Sequence, residues 1–299
     1  MSKLSETYKK VKPAVVAIVQ RMSKDPTFPP IIGTGFIARE NGIILTNNHV
    51  IDEINKLPKI EGEEEECSAL VLLFYDTGKE FLLIPMPIYR LIDLRGMQHH
   101  EHYYGPEVPD IGAILVGFKG LPAVNIVSSG KLYEGEDIAI SGFPMGTETL
   151  KAPGWLHQLS PTLQKGIISA ILPTAEAEPH AIMLDIITEG GTSGSPVFRV
   201  DSGDVIGMVY AGLKDSFYIC SDNNQAVSFE GVLPTAHTFA VPYTFLNIVL
   251  NDLNNLPDVK SFYEKVQLED FTEYIKNPPK NELTPKKPLM TMKGKLKNE

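Results

Sequence analysis

The sequence predicts an all-β protein of two sandwich or barrel units with short helices near its ends. Three observations lead there. Short apolar, β-branched runs recur at near-regular spacing between residues 14 and 241, turn residues such as Asn41-Gly42 and Asp201-Ser202-Gly203-Asp204 separate them, and helical periodicity is confined to the opening and the close. At 299 residues and 43% apolar, the chain has room for a large core and for more than one such unit.

Leu4, Tyr8 and Val11 fall at helical spacing, which predicts a short amphipathic helix ending before Pro13. Residues 14–20 then read as a buried strand, and 33–38 and 42–46 as two more joined through Asn41-Gly42, where both turn residues tolerate positive φ. His49 follows where the last of these gives way to a loop or a short helix. Between 56 and 109 the pattern is less regular. Strands are expected at 69–75 and 81–84, and Glu63-Glu64-Glu65-Glu66 as a solvated loop because like charges repel. Asp110 heads a strand that runs to Val116, and further strands are read at 135–144, 166–171, 182–187, 197–200 and 205–210. The hairpins 36–45 and 198–206 stand at similar places in the two halves, a weak sign of duplication. Pro242 is placed as the first residue of a helix in which Leu246, Val249, Leu250 and Leu253 form one face. One further helix is expected over 261–275, and residues 277–299, rich in Lys and Pro, as a mobile tail.

The formal charge of -10 argues against nucleic acid as the main partner, although the Lys surplus of the tail leaves a weak acidic or nucleic-acid partner open. Cys67 and Cys220 match no metal spacing and are expected as free thiols of a reducing compartment. His99, His100, Glu101 and His102 offer donors that suit zinc. Neighbours on a strand point to opposite faces, however, and no second ligand set follows, so neither metal nor cofactor is expected. The start lacks the apolar region of a signal peptide and no run is long enough to cross a bilayer, which predicts a cytoplasmic protein with no membrane partner.

The stretch richest in chemistry is Thr188-Glu189-Gly190-Gly191-Thr192-Ser193-Gly194-Ser195-Pro196. Its glycines remove the Cβ atoms that would keep backbone N–H groups from converging beside Ser193, which is how an oxyanion hole is formed. A serine hydroxyl is a weak nucleophile alone and needs a histidine to take its proton and a carboxylate to orient that histidine. His49 and Asp110, each at the edge of a predicted strand, are the candidates, and a cleft between two barrels would let all three converge. In that arrangement Ser193 attacks a carbonyl, His49 takes the hydroxyl proton and passes it to the leaving amine, and Asp110 holds the ring tautomer. The N–H groups of Gly191 and Ser193 meet the oxyanion, at about 3 kcal/mol per donor.

Taken in order, Gly33-Thr34-Gly35-Phe36, Gly42-Ile43-Ile44-Leu45-Thr46-Asn47-Asn48-His49-Val50-Ile51, Asp110-Ile111-Gly112-Ala113-Ile114-Leu115, Gly191-Thr192-Ser193-Gly194-Ser195-Pro196, Val205-Ile206-Gly207 and Phe239-Ala240-Val241-Pro242 resemble the successive signatures of the HtrA/Deg family of trypsin-like serine proteases. The likeness runs from about Lys10 to Leu253 and is most specific around the histidine. It implies a double six-stranded β-barrel of chymotrypsin/trypsin type with short N-terminal and C-terminal helices. The expected layout is a protease domain over 1–255, with barrels at about 13–120 and 121–240 and a helix at 242–253, followed by a helix and Lys/Pro-rich tail over 256–299.

The resemblance also implies a serine endopeptidase acting on unfolded or misfolded polypeptides through an acyl-enzyme. The nucleophile falls on Ser193 and not Ser195, and Asp110 is chosen over Asp93 or Asp76 by its Asp-Ile-Gly-Ala-Ile-Leu flank. The alternative is a protease-like scaffold that binds polypeptides without cutting them, as a chaperone or adaptor. By the same comparison Ile187, six residues before the nucleophile, lies at the floor of the primary pocket. An aliphatic floor leaves a substrate Lys or Arg unpaired, so small or medium apolar residues are expected before the cut. Tyr210, Ala211 and Gly212 would form the edge on which substrate backbone adds as a strand. The sequence departs from the family pattern at Thr192 and at Ser195, which stands where the family has a second glycine. Too few residues follow Leu253 for a PDZ domain, so regulation by such a module in this chain is not expected, and Thr192 has no charge to pair with a freshly cut amino terminus. Homo-oligomerisation is left open.

Overall fold

The computed structural model describes residues 2–21, 30–59, 67–78, 81–95, 109–144, 160–174, 178–219 and 229–277. Helix α1 (Lys3–Val11) and a 3-10 turn (Lys12–Ala14) lead into β1 (Val15–Gln20), β2 (Ile31–Arg39) and β3 (Ile43–Thr46). Helix α2 (Asn48–Lys56) follows, then β4 (Ala69–Asp76), β5 (Phe81–Asp93), β6 (Gly112–Val116) and the two-residue β7 (Phe118–Lys119). The second half holds β8 (Asp137–Gly142), β9 (Thr162–Leu172), β10 (Ala181–Leu184), β11 (Pro196–Arg199), β12 (Val205–Ile219) and β13 (Phe229–Pro242). The described chain closes with α3 (Tyr243–Leu253), α4 (Pro257–Lys265), β14 (Glu269–Asp270) and α5 (Phe271–Lys276). The expectations for Glu63 to Glu66, for His99, His100 and His102, for Cys220 and for the tail beyond 277 fall outside the described residues.

The strands close into two six-stranded antiparallel barrels of chymotrypsin type, ordered β1-β2-β3-β6-β5-β4 and β8-β9-β10-β13-β12-β11. The order is the same in both, so the two halves repeat one topology. The two hairpins singled out in the sequence do not carry this repeat. Phe36 pairs with Leu45 across β2 and β3, whereas Phe198 pairs with Val205 across β11 and β12, and the first-barrel counterpart of the latter pair is β4 and β5. The turn at Asn41-Gly42 does what its residues predict: Gly42 sits at φ 91°, and a Cβ there would strike Val116 O.

Apolar alternation on these strands fills two cores. The larger occupies the first barrel and crosses to the second through Ala139, Phe143, Phe198 and Val205, and a smaller one around Ile138, Ile140, Ile168 and Ile206 lies inside the second. The barrels are therefore joined by a continuous apolar seam.

Several elements differ from expectation: β10 ends at Leu184 instead of Ile187, and β12 runs to Ile219 instead of stopping at Tyr210. β5 runs to Asp93 instead of stopping near Ile84, because Pro85 and Pro87 read as strand breakers yet sit in register opposite Leu72 and Leu70. Pro242, in extended geometry at φ -68° and ψ 157°, is the cap before α3 and not its first residue. In place of one helix over 261–275 there are two, separated by β14, which pairs in parallel with β7. Asp270 starts the second by accepting from the N–H groups of Thr272 and Glu273 at 3.0 and 3.2 Å.

The ends of the described chain cross over. Tyr8 of α1 donates to Pro161 O at 3.0 Å, shares a 2.9 Å hydrogen bond with Ser141 Oγ and stacks on Phe198, all in the second barrel. The last helices return to the first barrel: Phe262 packs on Tyr89, Phe271 on Tyr75 and Tyr274 on Phe118, while Tyr263 donates to Asn41 O at 3.1 Å. No helix among the described residues is long and apolar enough to cross a membrane.

Candidate active site

β3 ends at Thr46 and α2 begins two residues later, so His49 lies in the first turn of a helix whose Val50, Ile51 and Ile54 are buried against the first barrel. Asp110 stands just before β6, which pairs with β3. The pairing brings the two side by side. Asp110 Oδ2 bonds the His49 ring at Nδ1, and Oδ1 accepts the His49 backbone N–H at 3.2 Å. A carboxylate at the start of a helix meets free N–H groups and the positive end of the dipole, so Asp110 serves α2 as a cap supplied from another segment. Because a carboxylate only accepts, Nδ1 carries a proton in this bond, and Nε2 is the nitrogen left free of it. The other acids weighed are elsewhere occupied: Asp93 pairs with Arg95, and Asp76 accepts from the N–H of Gly78.

The turn holding Ser193 docks on β2. Thr34 N donates to Ser193 O at 2.9 Å and Thr34 Oγ1 to Gly191 O at 2.6 Å. Gly194 N reaches Val209 O at 2.9 Å, and with φ 87° a Cβ on Gly194 would collide with Thr34 O. Only glycine fits there. Gly33, the residue before Thr34, faces both halves of the site: a Cβ on it would lie 2.9 Å from Val50 Cγ2 and 3.5 Å from Ser193 O. The serine turn and the histidine helix thus share one neighbour at the barrel seam. Among the described residues the N–H groups of Gly191 and Ser193 donate to no other backbone group, and the Ser193 hydroxyl has no hydrogen bond to His49. Gly191 takes φ 94°.

Ser195 is fully buried. Its hydroxyl fills the space that a Cβ on Gly142 would need, so a serine in place of a second glycine is matched by a glycine at the end of the neighbouring strand β8.

Ile187 lies in the segment after β10 and is 50% exposed. Its neighbour Thr188 bonds Thr238 through their hydroxyls at 2.8 Å, and a Cβ on Gly212 would meet Thr188 Oγ1. The segment ahead of the serine, the β12 residues Tyr210, Ala211 and Gly212, and Thr238 of β13 therefore lie together. β12 leaves its barrel partner β11 at Met208, opposite Pro196.

Several contributors carried no sequence signal of their own. Thr34 is completely buried, and besides its bonds to the serine turn its Oγ1 accepts from Phe143 N at 3.0 Å while its carbonyl accepts from Thr46 Oγ1 at 2.8 Å. Asn47, the residue before α2, does not cap the helix but donates to Asp110 O at 2.7 Å, holding the main chain of the acid. Asn48, also buried, accepts from Leu94 N at 3.3 Å. Each is short and polar at a place where a turn or a cap would use the same residue, so only the fold tells them apart.

Paired antiparallel barrels with a glycine-braced serine turn and a histidine helix meeting at their seam define the class of chymotrypsin-like folds. Residues 33–208 match the family described as trypsin-like peptidase domain, and the chain belongs to that family. It is 26% identical over 241 residues to a probable periplasmic serine endoprotease, DegP-like, of Hahella chejuensis, covering 80% of this chain and 39% of that protein. It is 29% identical over 228 residues to the serine protease HTRA1 of Xenopus tropicalis, covering 73% and 41%. The chain thus spans about two fifths of the length of these curated relatives. A crystal structure of the serine endoprotease from Yersinia pestis superposes with a TM-score of 0.50 at 17% identity, covering 84% of this chain and 66% of that one, a likeness of fold.

Proposed function

We propose that the protein is a serine endopeptidase in which Ser193 attacks the peptide carbonyl, His49 relays the proton and Asp110 holds the imidazole. The observation that carries this reading is the double engagement of Asp110 with His49 at the start of α2, beside a serine turn bonded to the neighbouring strand. With Nδ1 committed to Asp110, Nε2 is the atom to take the Ser193 proton and deliver it to the leaving amine. The N–H groups of Gly191 and Ser193, without backbone acceptors among the described residues, are the donors for the oxyanion. Burial of Ser195 and exposure of His49 support Ser193 as the nucleophile.

The relatives named as endoproteases support polypeptides as substrates, and unfolded chains fit best because a strand added at Tyr210 to Gly212 must be extended. Ile187, with Thr188 and Gly212 beside it, would receive the side chain before the cut and favour small or medium apolar residues; faster cleavage after Arg than after Val or Ala in a peptide panel would overturn that assignment. A cytoplasmic setting is the reading that the free Cys67 thiol favours.

The test is labelling by a fluorophosphonate probe together with casein digestion. Ser193→Ala is expected to abolish both, a loss on the order of 10^4-fold or more. Labelling that survives this substitution would remove Ser193 from its role.

A further inference from the structure

β12 and β13 do not stop at the barrel. Beyond Gly212, opposite Thr238, they continue as a two-stranded ribbon in which Lys214 pairs with Pro234, Asp215 with Leu233, Ser216 with Val232 and Phe217 with Gly231. Alternation on β12 puts Leu213, Asp215 and Phe217 on one face, and pairing adds Leu233 to it. Leu213 is 47% exposed, Leu233 57% and Phe217 36%. The Phe217 ring lies over Gly231, where a Cβ would collide with it, so this face is fitted together and not merely uncovered. Exposed apolar side chains clustered on a ribbon mark a binding surface.

The other edge of β12 points to the occupant. No described residue pairs with it between Ala211 and Asp215, and this edge continues directly from the segment assigned above to substrate backbone. A two-stranded ribbon gains from a third strand. We propose that the β12–β13 ribbon extends the substrate site: an unfolded polypeptide adds antiparallel to β12 from Ala211 outward and lays apolar side chains, at alternate positions upstream of the bond to be cut, on Leu213, Leu233 and Phe217.

The starting point and direction rest on Ser193 being the nucleophile. Val209 is held by the serine turn through Gly194, so residues of higher number lead away from the reacting bond. Antiparallel addition, the more stable kind, sends the half of the substrate that stays bonded to Ser193 along the ribbon, where it is held until water releases it. From Val209 to Phe217 is about 26 Å at about 3.3 Å per residue, so the grip reaches roughly eight residues upstream. Extended segments with alternating apolar residues are what a folded protein hides in its sheets and a misfolded one exposes. The ribbon thus selects for loss of structure without reading a particular sequence.

The experiment uses two peptides of about twelve residues, identical around the cut, with Leu or Ser at alternate upstream positions. The protein is expected to cut the Leu peptide about tenfold faster by kcat/KM, and the ratio to fall to about one or two in a Leu213→Ser/Leu233→Ser variant. The ratio is taken within each protein, so a general loss of activity does not mimic the result. Fluorescence anisotropy with the labelled Leu peptide and the Ser193→Ala protein reads binding without chemistry, and the double substitution should weaken it. A ratio near one in protein that cuts both peptides overturns the ribbon and leaves the hydrolase reading standing. Absence of cleavage with ribbon-dependent binding overturns the hydrolase reading and keeps the ribbon. A change in particle mass by light scattering in the double variant, with the ratio untouched, makes the ribbon a contact between copies of this chain and overturns the proposal.

Discussion

The hydroxyl of Thr34 donates to the part-buried Gly191 O and accepts from the buried Phe143 N, so a substitution that keeps its shape and removes its oxygen orphans the Phe143 N–H and unties Gly191. Thr34→Val is expected to cost about 1–3 kcal/mol for the orphaned N–H and, because the bond to Gly191 anchors the turn before Ser193, to lower kcat more than it raises KM. Thermal unfolding and peptide kinetics on the same sample check both. Ser195→Ala should do the reverse: its hydroxyl is buried and without a partner among the described residues, so removal is expected to leave stability unchanged or raise it by about 1 kcal/mol, with probe labelling retained. Loss of labelling there would move the nucleophile. Ser193, His49 and Asp110 stood out in the sequence as candidates because each combines a reactive side chain with flanks that end or begin a strand, Asp110 being set apart from other acids by the flank that carries the resemblance. Thr34 and Asn47 did not, since what they do depends on partners 157 and 63 residues away.

Helix α2 is the element on which the site's geometry turns. It carries His49 near its start and Asp52 three residues on; Arg95, just after β5, bonds Asp52 at 2.9 Å and also pairs with Asp93. Arg95 fastens the exposed side of the helix to the strand end while Val50 and Ile51 fasten the other. Its guanidinium, by hydrogen bonding, holds the Asp93 carboxyl below the usual carboxylate range. A depressed folded-state pKa means that the contribution is present at neutral pH and is lost as the pH falls through that lowered value. The groups are largely exposed, so the effect is small and screened by salt. The melting-temperature gap between the protein and Arg95→Gln should therefore be modest at neutral pH and close on acidification; a gap that widens in acid would contradict the clamp. Asp110→Asn is expected to keep the fold and drop kcat about 10^4-fold by presenting the wrong ring tautomer, read by circular dichroism and peptide kinetics. At this scale the sequence misled where residue types and partners disagreed: Pro85 and Pro87 masked the length of β5, and Lys214, Asp215 and Ser216 masked the ribbon of β12.

Strand count, turn chemistry and total length pointed to two all-β units, sandwich or barrel, and the resemblance to the HtrA/Deg signatures narrowed them to the double barrel, in which twelve strands close into two rings and hide their edges. What could not be read was how the ends of the described chain are used, because a helix's apolar face says that it packs and not on what. α1 precedes the first barrel but is fastened to the second, and the last helices follow the second barrel but are fastened to the first. The two halves are in effect laced, each held by a cord that belongs to the other. Neither can melt without tugging its neighbour open, and calorimetry on the intact chain should trace a single endotherm. Deleting residues 2–11 should unlace one side and split that peak in two; two peaks in the intact chain would mean the lacing bears no weight.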